Sequence, residues 1–81
     1  MLMPTVHLNG TSSKELLAQA EKAYYAVDAA FDAVSAASPN ARDYYVQGER
    51  ALAQAVEEHA AHLKSLRLVL DDYLNMIVHL T

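Results

Sequence analysis

Residues 13–37, SKELLAQAEKAYYAVDAAFDAVSAA, carry the pattern that decides the fold. Leu16, Ala20, Ala23, Val27, Ala30, Val34 and Ala37 recur at alternating steps of four and three, and Leu17, Tyr24 and Phe31 repeat every seven residues beside them. A heptad sustained over three repeats is the mark of an amphipathic helix with a packing seam. Upstream, Asn9-Gly10 is a turn signal, Ser12 fits an N-cap, and Glu15 three residues later completes a capping box. Downstream, Pro39 ends the ladder and pushes Ser38 out of the α region. A second run, Leu52, Val56, His59, Leu63, Leu66, Leu70, Tyr73, Ile77 and Leu80, repeats the same spacing. Val69, Leu74 and Met76 widen it towards the C-terminus.

These readings predict an all-α chain: an antiparallel two-helix hairpin with an extended N-terminal lead-in over residues 1–12. Helix spans 13–37 and 49–80, joined by a connector over 38–48, complete one domain. Pairing outwards from a short connector sets Ser13 near Asp71 and leaves Tyr73–Thr81 overhanging, to be covered by the folded-back lead-in or by another subunit. Two glycines and two prolines in 81 residues are too few for an all-β chain. There is no cysteine, hence no disulfide staple and no thiol chemistry. No basic-then-apolar leader and no membrane-length apolar run occur. The charge of −4 argues against wrapping a nucleic-acid polymer.

Fifteen of the hydrophobic residues are alanines, so two helices of this size build a thin core. Small scaffolds without disulfides or metals rely on association. The expectation is therefore a homo-oligomeric helical bundle, a dimer forming four helices or a higher even assembly. Ala26, Ala29, Ala33 and Ala36 form a second seam on the back of the first helix. Either alanine serves there as the best helix former, or another helix approaches closely.

No nucleophile, base and orienting group fall at a telling spacing, and no Gly-rich phosphate loop is present, so the chain is expected not to be an enzyme and to use no cofactor. Asp28, Asp32, Asp71 and Asp72 read as solvated. His59 and His62 are three apart on one helix, but Lys22, Tyr24 and Tyr25 are expected opposite them, so a packed His bonded to a Tyr is preferred to a metal site. His79 suits the negative end of the helix dipole.

Two polar clusters stand out. In the connector, Arg42 offers a planar fork for phosphate and Tyr44 and Tyr45 offer stacking faces. Asp43 and Gln47 supply base-edge or hydroxyl contacts, with Arg50 one turn on. The plainer alternative is a loop in which Asp43 caps the second helix and the tyrosines plug the bundle end. At the first helix's N-terminus, His7, Asn9 and Thr11 surround free amides, a natural anion site, or else ordinary capping. The clusters lie roughly 35 Å apart in one hairpin, so a single site requires an antiparallel neighbour.

The pairing of Val6–Ser12 (VHLNGTS) with Asn40–Gly48 (NARDYYVQG) resembles a group of short phage and prophage α-hairpin proteins of unassigned function. In size and shape the chain is similar to phage counter-defence sponges, helical oligomers that hold cyclic nucleotide or cyclic ADP-ribose signals between protomers. Arg42, Arg50 and Lys14 are fewer bases than sponges for multiply charged ligands usually gather. The resemblance implies a non-enzymatic protein of the bacterial host cytoplasm. It would bind itself and a small phosphorylated cyclic nucleotide or ADP-ribose-type ligand, with no membrane partner. The alternative is a protein-interaction or assembly module that docks a helix face on a host or phage protein.

Overall fold

The computed structural model describes residues 1–81. Two helices, α1 (Ser13–Ala36) and α2 (Ala51–Leu80), pack as an antiparallel hairpin, and no strand forms. Ser12 caps α1: its Oγ accepts the Glu15 amide at 3.1 Å, and its carbonyl accepts from Leu16. At the other end the Ala37 amide and the Ser38 hydroxyl bond back to Val34 and Ser35, and Pro39 prevents a further turn. The helix stops one residue short of the predicted 37, and α2 begins at Ala51 rather than 49.

The connector explains the late start. It winds into two single 3-10 turns, Ala41–Asp43 and Tyr45–Gln47. Asn40 caps the first, its Oδ1 accepting the Arg42 amide at 3.0 Å. Gly48 then turns the chain at φ 106°, a left-handed conformation that a β-carbon resists. No side chain caps α2; Asp43 does not fill the role that the plainer reading of this loop assigned to it.

The two helices run in a different register from the expected one. His59 Nε2 lies 2.6 Å from the Val34 carbonyl, and Leu16 and Ala20 share a cavity with Tyr73 and Met76. Continued along both helices, this register sets Ser13 beside Leu80, not Asp71, and the overhang Tyr73–Thr81 vanishes. The stagger falls instead at the start of α2, whose first turn and a half projects past α1 against the 3-10 turns. A connector that winds along the rod axis, rather than turning tightly across it, lets the second helix start farther out.

α1 is also rotated about its axis. Leu17, Tyr24 and Phe31 are half-buried in the seam, whereas Ala30 and Ala37, expected in the core stripe, are exposed. Larger side chains remove more apolar area from water, roughly 25 cal/mol per Å², so the helix turns its bulky row inward and its alanines to the margin. In α2, Val56 remains 48% exposed because it faces the end of α1.

The lead-in folds back on its own chain. Leu2, Met3 and Pro4 lie over Leu16, Gln19, Ala20, Ala23, Tyr73 and Met76. The Pro4 carbonyl is 3.0 Å from His79 Nε2, and the Met1 amine is 3.7 Å from Asp72. His79, expected to serve the helix dipole, thus also ties down the lead-in.

The rod measures 61 × 19 × 17 Å, and its radius of gyration is 18.1 Å; a globular chain of this length would have about 12 Å. Only Ala20 and Leu70 are fully buried, at 1% and 4% exposure. Leu70→Ala should therefore cost about 2–5 kcal/mol, whereas Leu68→Ala, at 60% exposure, should change stability by no more than about 0.5 kcal/mol. Denaturant melts at one fixed protein concentration compare the two.

Candidate functional site

Tyr44 stands at the centre of the connector cluster. One open cavity of about 340 Å³ lies between Tyr44 and Tyr45, floored by Ala41, Gly48 and Leu52 and edged by Glu49. A second, of about 230 Å³, lies on the other side of Tyr44 and is lined by Gln47, Ala51, Gln54, Ala55 and Glu58. Tyr44 is half-buried and Tyr45 is 76% exposed, so one ring forms the wall while the other offers a free face. Local folding produces this arrangement: the break between the two 3-10 turns falls at Tyr44, so the adjacent tyrosines take different environments.

Arg42, Asp43 and Arg50 are exposed and line neither cavity. The groups that do line them include two carboxylates, Glu49 and Glu58, and the amide of Gln54, whose Nε2 donates to Glu58 at 3.0 Å. None of these three was among the expected ligand-binding residues. Gln54 and Glu58 are four apart on a helix, a spacing that brings side chains together. The cavities thus accept hydrogen bonds and present aromatic faces, while positive charge stands outside them.

His7, Asn9 and Thr11 are exposed at the opposite end of the rod. His7 closes a turn, its carbonyl accepting the Gly10 amide at 3.2 Å, with its ring over Gly10 where a β-carbon would come within 2.8 Å of Nε2. Within one chain the two clusters do not meet.

A third cavity, about 380 Å³ and mainly apolar, lies beneath the lead-in, bounded by Leu2, Met3, Pro4, Leu16, Ala20 and Met76, with Gln19 and Tyr73 at its edge. No motif signals it, since it forms only when residues 2–4 cross the helix pair.

His59 serves the backbone. Its partner is the Val34 carbonyl at 2.6 Å, not a tyrosine. A carbonyl only accepts, so Nε2 carries the proton. The Val34 carbonyl, in the last turn of α1, already accepts the Ala37 amide at 3.1 Å; the histidine of one helix adds a second donor at the end of the other. No group of three or more potential metal ligands converges anywhere in the chain, and no helix is long and apolar enough to cross a membrane.

The chain matches no family model, no curated protein and no solved structure.

His59→Ala should lower the unfolding free energy by about 0.5–1.5 kcal/mol, because it removes the interhelical hydrogen bond to a Val34 carbonyl that keeps the Ala37 amide as its donor. Lys64→Ala, an exposed change on the same helix, should stay within about 0.5 kcal/mol, and chemical denaturation of both variants checks the difference.

Proposed function

We propose that this chain is a non-enzymatic counter-defence protein of phage type, an oligomer of α-hairpins that sequesters a small phosphorylated cyclic nucleotide or ADP-ribose-type signal in the host cytoplasm. The observation that carries the reading is the connector: two tyrosines, one half-buried and one 76% exposed, flank open cavities edged by Gln47, Gln54, Glu49 and Glu58. An aromatic base stacks on such a face, and its amino hydrogens suit carboxylate and amide acceptors. The carboxylates repel phosphate, so the ligand's charged end points outwards to Arg42 and Arg50.

Those two cations on a chain of net charge −4 are a weak hold for two phosphates. The site is completed by a neighbouring protomer, which adds its own polar groups and closes a cavity that is open in one chain. An antiparallel neighbour brings its lead-in end towards the connector, and the overlap of the two chains decides whether His7, Asn9 and Thr11, with the free amides at the start of α1, share the site. The second reading, a module that docks a helix face on another protein, draws on the exposed Leu68 and Val78 of α2.

A thermal-shift panel of cyclic dinucleotides and ADP-ribose isomers tests the first reading. At a hundredfold excess over Kd, binding adds about 2.7 kcal/mol. For a domain of this size that raises Tm by roughly 10 °C or more. Arg42→Ala should abolish the shift without changing the mass seen by light scattering. No shift with any member of the panel overturns the nucleotide reading, and capture of a host or phage protein that is lost on Leu68→Glu would favour the second.

A further inference from the structure

The two long sides of the hairpin are chemically unlike. Gln19 and Ala23 share a cavity with Tyr73 and Met76, which identifies the rows that lie together on one side. By helical repeat those rows continue through Ala26, Ala30 and Ala33 on α1 and through Val69, His62 and Ala55 on α2. None of these six is formally charged, but Glu58, between Ala55 and His62 on the same row, places a carboxylate on this side. The opposite side carries Asp28 and Asp32 on α1 and Lys64 and Arg67 on α2.

The lead-in covers only part of the alanine-rich side. Residues 2–4 line one cavity with Leu16, Gln19, Ala20 and Ala23, and the Met1 amine lies beside Asp72. From Ala26 to Ala37 the seam continues for about 16 Å with Ala26, Ala30, Ala33 and His62 exposed and Val69 40% exposed. We infer that this stretch is where a second copy of the chain docks, antiparallel and offset, so that the uncovered halves of two hairpins stack into a four-helix bundle. The inference rests on the oligomer of the proposed function and names the face that it uses.

Area supports a second copy as the occupant. The chain exposes 6217 Å², whereas a folded monomer of its mass exposes about 4,800 Å². The excess, roughly 1,400 Å², exceeds the 800 Å² or so that each partner buries in a standard stable interface. The patch suits itself: side chains no larger than alanine along α1 let helix axes approach to about 8 Å. A two-fold axis makes one patch serve both partners. The lead-in limits the overlap, because a partner sliding below Ala26 meets residues 2–4. The axis therefore passes near Ala30 and Ala33, and the partner's connector comes level with this chain's lead-in and the cavity beneath it.

The chain has no cysteine, so single cysteines report the face directly. Ala33→Cys places two thiols near the axis, within the 7 Å or so between α-carbons that a disulfide tolerates, and mild oxidation at micromolar concentration should give covalent dimer as the main species. Asp32→Cys, at the same height on the charged side, should stay uncrosslinked. Ala33→Glu should reduce the scattering mass to that of one chain, 8.9 kDa. If Ala33→Cys fails to crosslink while the unaltered chain scatters as an oligomer, or if both cysteines crosslink equally, the face is wrong and the oligomer stands. If the unaltered chain itself scatters at 8.9 kDa, face and oligomer fall together.

Discussion

Two helices packed along one seam bury one stripe of each, and no side chain in such a pair is enclosed on every side unless something crosses the seam. That constraint governs this chain. The two residues that escape it, Ala20 and Leu70, sit where the helices pack side by side, and the lead-in crosses over Ala20. Elsewhere the seam is half-open. α1 responds by turning Leu17, Tyr24 and Phe31 inward at the expense of Ala30 and Ala37, since exposing a methyl costs less than exposing a ring. The alanine surface on the back of the hairpin is a consequence of that rotation as well as of composition.

The helical hairpin was legible because a heptad is a geometric statement, and both helices keep it for most of their length. The register was not. It depends on how far the chain travels between Ala36 and Ala51, and nothing in the heptads encodes whether Asn40 and Gly48 build a tight turn or two 3-10 turns along the axis. The partner of His59 was hidden for a related reason. A backbone carbonyl has no sequence signature, so a histidine in a core position invites a side-chain partner, yet the ring meets the Val34 carbonyl in the last turn of α1.

The candidate site was legible as residue types and not as an arrangement. Arg42, Tyr44, Tyr45 and Gln47 were singled out for their chemistry, but adjacency in sequence does not say which of them face a common cavity. The break between the 3-10 turns makes Tyr44 a wall and leaves both arginines outside, while Glu49 and Glu58 lie inside. That inversion constrains any anionic ligand more than the count of bases does. Its charge must stay outward and its neutral, hydrogen-bonding part must enter, which fits a nucleotide better than inorganic phosphate.

The lead-in links the assembly question to the site. Held by the His79 bond to Pro4, it supplies the third wall that two helices lack, but only over the lower half of one side. A chain that covered the whole seam with its own residues would be a closed three-layer unit. A chain that covered none would let a partner slide freely along it. Covering half leaves a patch of defined length, so the proposed partner has one position in which the two alanine rows meet. In that position the partner's tyrosines come level with residues 2–4, and not with Asn9 and Thr11, which lie farther down the rod. Of the two polar clusters, the connector is then the one that an offset dimer completes, and the turn at His7–Gly10 is left to organise the lead-in.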